Sequence, residues 1–186
     1  MILVWCVMRL QIVVALILVA FVGGAAADRG ISHWLASRKH QPQVLHIGVL
    51  VSNMDAAISE WRALGYTDIQ ISPPDKGIGR QYHGVPLDCS LKQAFIKGQP
   101  DIELLQPLCD TPNPWASELS EKGMQLHHLA FFVPDAEEQV QKVNAAGLVE
   151  IAEGKWKDNK PGFGEFSYVR KPGDALIIEY LAHTKS

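Results

Sequence analysis

Two histidines stand in near-identical settings 82 positions apart. His46 lies in Val44-Leu45-His46-Ile47-Gly48-Val49, and His128 in Leu126-His127-His128-Leu129-Ala130-Phe131. Two glutamates sit inside apolar runs: Glu103 in Asp101-Ile102-Glu103-Leu104-Leu105, and Glu179 in Ile177-Ile178-Glu179-Tyr180. An acid within an apolar strand is costly unless it is paired, hydrogen-bonded or bound to a metal. Two imidazoles and two carboxylates that converge make a donor set for a first-row divalent ion, with Zn, Ni, Co, Mn and Fe as the candidates. Each residue alone has an ordinary explanation. A histidine at a strand start is commonly structural, and a strand glutamate commonly sits at an exposed edge. The weight of the pattern lies in all four recurring in one repeated frame.

That frame is an element pattern written twice. Val44 to Val51 is a short apolar run of strand length, and Ser52-Asn53 can cap a helix with Asp55 in its first turn. Ile58, Trp61 and Leu64 recur at helical spacing, and Gly65 stops the helix. Strands are expected near Thr67–Ile71, Leu87–Lys97 and Asp101–Gln106, with Gly98-Gln99-Pro100 as a turn. The copy begins at His128, with Pro134-Asp135 as the cap, Val140 and Val143 as the helix face and Gly147 as the stop. Strands should follow near Val149–Ala152, Phe163–Arg170 and Ala175–Leu181. Each half therefore reads β-α-β-β-β and is too small to bury a core alone, so the halves must pack together. The link Pro112 to Gly123 is expected to hold a short helix, Trp115–Lys122.

Strand alternation then sorts the side chains. Leu45, Ile47, Val49 and Val51 form the apolar set that should meet the helix, which turns His46 the other way beside Gly48. His128 and Ala130 repeat this arrangement. Glu103 is set apart from Ile102 and Leu104, and Glu179 from Leu176, Ile178 and Tyr180. Each half thus offers one histidine on its first strand and one glutamate on its last.

The chain has 186 residues, 47% of them hydrophobic, which suits a core of domain size. A net charge of -3, from 17 Lys+Arg against 20 Asp+Glu, argues against nucleic acid as a partner. Three cysteines are too few for a disulfide scaffold or a four-cysteine zinc site. Part of the hydrophobic share belongs to Met1–Val22, which is broken only by Arg9 and Gln11 and is followed by Gly23-Gly24 and Ala25-Ala26-Ala27. Residues 1–27 read as a cleaved signal peptide, which would put the protein in a secreted or periplasmic location. The rival reading is an uncleaved anchor, since Ile2–Val22 could span a ~30 Å hydrocarbon core. Only in that case would the membrane be a partner. Residues 28–43 read as a linker or a loosely docked helix (Ile31–Ser37), with His33 and His40 solvated. The domain proper spans 44–182, in modules 44–110 and 126–182.

Four segments resemble the vicinal-oxygen-chelate superfamily, which includes glyoxalase I, methylmalonyl-CoA epimerase, extradiol dioxygenases and fosfomycin or bleomycin resistance proteins. They are His46-Ile47-Gly48-Val49, Ile102 to Pro107, Lys122 to Phe131 and Ile177 to Tyr180. The second and third look most like the epimerase/glyoxalase branch. The resemblance implies an α+β fold in which two βαβββ modules form a curled mixed sheet around one metal, held by His46, Glu103, His128 and Glu179. Members of this branch carry Glu or Gln at the second ligand position. In the histidine pair, register selects His128 and turns His127 to the helix side. The implied chemistry is a lyase, isomerase or epimerase reaction on a small oxygenated substrate. The metal acts as a Lewis acid on an enolate oxygen, and a carboxylate moves a proton beside the carbonyl. Glu179 is the first candidate for that base and Glu103 the second.

The epimerase also uses an acid in its first module. The matching region, Gln81 to Asp88, offers only His83 and Asp88, and a solvated loop is the simpler reading. One alternative is an extradiol-type dioxygenase with a 2-His-1-carboxylate iron site, against which Glu103 speaks. The other is a protein that sequesters a small molecule without turnover. Related proteins pair modules within a chain or swap them between chains, so a homodimer is open.

Weaker features complete the reading. Lys155-Trp156-Lys157 and Lys160 fall in an expected loop, Glu153–Gly164, which could meet an anionic substrate or simply be solvated. Phe95, Phe132, Phe166 and Tyr168 could line a pocket or fill the core. A hairpin centred on Gly98-Gln99-Pro100 would set Cys89 opposite Cys109, although Pro107 disturbs that register. His183 is expected in solvent.

Overall fold

In this computed structural model the described residues are 42–116, 124–157 and 163–184. The leader, most of the 28–43 segment read as a linker or a docked helix, Lys160, and all but the start of the expected Trp115–Lys122 helix lie outside them. No helix among the described residues is long and apolar enough to cross a membrane.

Strand β1 (Val44–Leu50) leads into helix α1 (Met54–Ala63). The Asn53 side-chain oxygen accepts from the Ala56 N–H at 3.0 Å, and Gly65 ends the helix at φ +95°. The second copy repeats this. Strand β7 (Gln125–Phe132) leads into α2 (Ala136–Ala145), Asp135 accepts from the Glu138 N–H at 2.9 Å, and Gly147 sits at φ +88°. Each cap satisfies a donor that the first helical turn would otherwise leave open. Met54, Ala57 and Ile58 of α1 pack on Val49, Val51, Ala94, Ile96, Ile102 and Leu104, the outward face of the first half. Leu64, expected on that face, is the residue after the helix and is largely exposed.

The remaining strands are β2 (Ile69–Asp75), β3 (Ile78–Tyr82), β4 (Val85–Pro86), β5 (Leu91–Ile96), β6 (Asp101–Pro107), β8 (Val149–Lys157), β9 (Phe163–Arg170) and β10 (Ile177–His183). They form one mixed sheet in the order β2-β5-β6-β1-β7-β10-β9-β8-β3-β4. The first strands of the two halves, β1 and β7, pair antiparallel at its centre, and each is flanked in parallel by the last strand of its own half. Ser72 of β2 and Trp156 of β8 stand far apart in that order yet line one cavity, so the sheet is curled. Inside the curl, Leu50, Leu91, Leu105, Trp115, Phe166, Tyr168 and Ile177 form a second core.

Three further expectations are corrected. Leu45 does not join the helix face: the β1–β7 register is irregular between Val44 and His46, and Leu45 is exposed at the cavity. The first half carries a hairpin that the five-element pattern lacks. Its β3 runs through the region read as loop and pairs with β8 of the second half. Its turn, His83-Gly84, has both residues at positive φ, the geometry tight hairpins favour. Finally, Lys155, Trp156 and Lys157 are strand residues, paired with Glu165, Gly164 and Phe163. A Cβ on Gly164 would lie 2.0 Å from the Trp156 ring, so that glycine is what lets the indole pack across β9.

The β5–β6 hairpin pairs Phe95 with Glu103 and Leu91 with Pro107, and Cys89 and Cys109 form a disulfide beyond it. Pro107 ends β6 without breaking the register. A ring of this size removes about 3 kcal/mol of unfolded-chain entropy. Replacing both cysteines by alanine should therefore lower the urea unfolding free energy by about 2–4 kcal/mol, whereas an unchanged midpoint would contradict the linkage.

Candidate metal centre

Four central strands place the four residues in two adjacent rows. In one row Gly48 is the partner of both Glu103 and His128; in the next Ala130 is the partner of both His46 and Glu179. A small residue thus stands between the two large side chains of each row. A Cβ on Gly48 would come within 2.1 Å of the His128 ring, so the imidazole occupies the space that glycine leaves. The small residue two places after each histidine follows from this packing.

All four predicted residues meet inside the curl. They are 5% (His46), 3% (Glu103), 0% (His128) and 5% (Glu179) exposed. His46 Nε2 and His128 Nε2 are 3.0 Å apart. Glu103 Oε2 lies 3.1 and 3.4 Å from them, and Glu179 Oε2 lies 2.9 and 3.2 Å away. Ligand atoms about 2.0–2.2 Å from a common ion stand roughly 3–3.5 Å from one another, so this set fits a first-row divalent ion. Glu179 Oε2 is also buried with no hydrogen-bond donor aligned on it, as expected of an atom whose partner is a cation.

Without an ion, the charges lean on each other. Burial opposes a charged imidazole, but Glu103 and Glu179 outweigh it and carry His46 up to about 10 and His128 up to about 9. Burial likewise opposes the carboxylates, and the two histidines more than offset it, holding Glu103 and Glu179 below the usual carboxylate range.

Two supporting residues escaped the sequence reading. Gln93 Nε2 donates to Glu103 Oε1 at 2.7 Å, fastening that carboxylate through the oxygen that faces away from the histidines. Alternation along β5 would have found it, because Leu91, Gln93 and Phe95 share the inward face. The other is His127, and here the expectation fails. The β1–β7 register skips a residue between His128 and Leu126, leaving His127 as a bulge. A bulge puts consecutive side chains on the same side of a sheet. His127 is therefore buried inside the curl against Tyr168, not turned to the helix. Burial, then the neighbouring charge on His128, push its imidazole down to about 3.

His46, Glu103 and Glu179 form part of the wall of a cavity of about 710 Å³, with His128 fully buried behind them; Phe95, Phe166, Tyr168, Trp156, Lys155 and Lys157 also line it. Phe132 is not among these; it is half exposed beside His183. Asp88 is exposed and paired with Lys76 at 2.7 Å, and His83 is exposed at the hairpin turn, so neither lines this cavity.

A curled mixed sheet of two βαβββ halves, the first with an inserted hairpin, and a His-Glu-His-Glu cluster at their seam together point to a family. The model of the Glyoxalase/Bleomycin resistance protein/Dioxygenase superfamily matches residues 46–164, and the chain belongs to that superfamily. Among solved structures it is similar to methylmalonyl-CoA epimerase of Mycobacterium tuberculosis (18% identity, 77% of this chain and 89% of that one, TM-score 0.51). It is similar to a hypothetical protein of Bacillus halodurans (19%, 78% and 97%, TM-score 0.53). It also resembles a variant of 4-hydroxymandelate synthase from Streptomyces coelicolor (18%, TM-score 0.53), covering 78% of this chain but 49% of that one. No curated protein matches the chain in sequence.

Two outcomes follow. Gly48→Ala forces the His128 ring out of its place, so metal affinity measured by titration should fall at least tenfold while the helical circular-dichroism signal persists. The metal-free protein should also show a bell-shaped stability profile. His46 and His128, raised from 6.5, contribute stability that is whole below 6.5 and lost as pH rises through about 9 and 10. Glu103 and Glu179, lowered from 4.5, contribute stability present above 4.5 and lost as pH falls below it. His127, held neutral, contributes fully above 6.5 and less and less toward about 3. Urea midpoints from pH 4 to 10 should peak near 6.5 and drop by the equivalent of a few kcal/mol at pH 10, and a flat alkaline limb would refute the charged cluster.

Proposed function

We propose that the protein binds one divalent metal ion through His46, Glu103, His128 and Glu179. On this reading it catalyses proton transfer at the carbon beside a carbonyl of a small oxygenated substrate, as a lyase, isomerase or epimerase. The observation that carries this reading is the unequal fastening of the two carboxylates at the cavity wall. Gln93 ties Glu103 in place, while Glu179 Oε2 stands beside the two imidazoles with no donor aligned on it. A carboxylate held among cations is a weak base until it swings free, and the untied one is better able to do so. Glu179 is therefore the base that takes and returns the proton, and Glu103 the fixed ligand. A divalent ion, when bound, supplies Lewis acidity toward the substrate oxygen. Phe95, Phe166 and Tyr168 line the same cavity, and this aromatic wall limits the water that would reach a substrate there. Lys155 and Lys157, also at the cavity, favour a substrate that carries negative charge.

One solved neighbour is named as methylmalonyl-CoA epimerase in complex with methylmalonyl-CoA, and a CoA ester is one candidate substrate. The positions of His83 and Asp88 away from the cavity argue against an epimerase that needs a second acid from that segment. The leader pattern, together with the Cys89–Cys109 disulfide, supports an exported protein, where CoA esters are scarce. Four protein ligands also weigh against a 2-His-1-carboxylate iron oxygenase.

The test uses metal-loaded protein with panels of 2-oxoaldehydes, acyl thioesters and catechols in deuterated water. Glu179→Gln should keep its metal and lose deuterium incorporation by about 10²–10⁴-fold. Full incorporation in that variant removes Glu179 as the base. Metal binding with no turnover by the wild type would favour a sequestering protein.

A further inference from the structure

The bulge at His127 places an imidazole where strand alternation would have put none, and its two nitrogens are both engaged. His127 Nε2 lies 3.1 Å from the Pro114 carbonyl oxygen, and His127 Nδ1 lies 2.8 Å from His128 Nδ1. A carbonyl can only accept, so Nε2 of His127 carries a proton. The ring is 2% exposed, and the carboxylates of the cluster face Nε2 of His128, on the other side of that ring. A neutral His127 has its lone pair on Nδ1, and Nδ1 of His128 must donate to it. Nε2 of His128 is then the nitrogen turned to Glu103, Glu179 and His46: without an ion it carries the second proton of the ring and pairs with the carboxylates, and on losing that proton it offers its lone pair to a metal.

The anchoring carbonyl is itself held. Asn113 is fully buried, and its Oδ1 accepts from the Trp115 N–H at 3.0 Å and the Ala116 N–H at 2.7 Å. Its Nδ2 donates to the Thr111 carbonyl at 2.7 Å and lies 3.3 Å from Cys109 Sγ, one half of the disulfide. The turn that presents Pro114 is therefore pinned to the β5–β6 hairpin on one side and to His127 on the other.

We infer that His127 is a positioning residue for the metal. Through the relay from the Pro114 carbonyl to His127 and on to His128, it sets the tautomer and ring orientation of His128 so that Nε2 is the ligand atom. The inference rests on the metal reading above, and its test separates the two. Outer hydrogen bonds of this kind commonly contribute 10–100-fold to metal affinity. His127→Phe keeps a ring and removes the acceptor; His127→Asn offers an oxygen close to where Nδ1 stood. Titration of full-length protein with Zn²⁺ and Co²⁺ should show His127→Phe binding 10–100-fold more weakly than wild type, with most of the loss recovered in His127→Asn. The ¹⁵N chemical shifts of the histidine rings in the wild type give a readout that needs no metal. His127 should be protonated at Nε2 and not at Nδ1, and His128 protonated at Nδ1. Wild-type affinity in His127→Phe overturns the inference. So does a proton on Nδ1 of His127, whether or not the phenylalanine variant folds. A wild type that binds neither ion but shows these ring shifts would overturn the metal reading while leaving the relay in place.

Discussion

Two carboxylates and two imidazoles share a dry volume only a few ångströms across, and the rest of the molecule is arranged around keeping them there. Removing a charge from water costs several kcal/mol even after relaxation, so the group survives only if each oxygen and nitrogen has its counter-charge in place. Coulomb attraction is strong at 2.9–3.4 Å in such surroundings, but it acts only if four strands deliver the four atoms together. The rows Glu103–Gly48–His128 and His46–Ala130–Glu179 do this. Room for the imidazoles comes from the small residues of β1 and β7, which is why a methyl group at Gly48 would collide with His128.

The walls of the curl serve the same end. Arg80, buried on the inserted hairpin, gives Nη1 to the carbonyls of Asp75 and Cys89 and lies over the Trp115 ring at 5.4 Å. It fills space left by Gly77 and Gly154, and so ties β2, the disulfide and β8 into one wall. Through Asn113 the same disulfide steadies the turn whose carbonyl holds His127. Stability and site are thus coupled. The pinned segment 109–115 contributes to the inner core through Trp115 and to the outer hydrogen bonds of the cluster through Pro114.

Most of the fold is legible in the sequence. The repeat of strand, cap, helix and glycine stop located α1, α2, β1 and β7, because caps and strand alternation are local rules that need only neighbouring residues. Alternation also sorted His46, Glu103 and Glu179 onto the inward face, and the four-residue cluster followed from repetition. The failures share a cause. The β3–β4 hairpin, the strand at Lys155–Lys157 and the inward turn of His127 all depend on pairing with residues far away in sequence. A single bulge reverses the side to which a residue points, and no local pattern announces it.

The sequence by itself therefore determined the repeat, the four residues that cluster and the small residues beside the two histidines. These follow from side-chain volume, charge and the period of the strand, all of which are written in the chain. Tertiary structure alone decided how the site is supported. Gln93 fastens Glu103, His127 turns inward to hold His128, and the inserted hairpin crosses to the edge of the other half. Each is a contact between strands whose register is chosen by the packing of the whole sheet, and register cannot be read from one strand at a time.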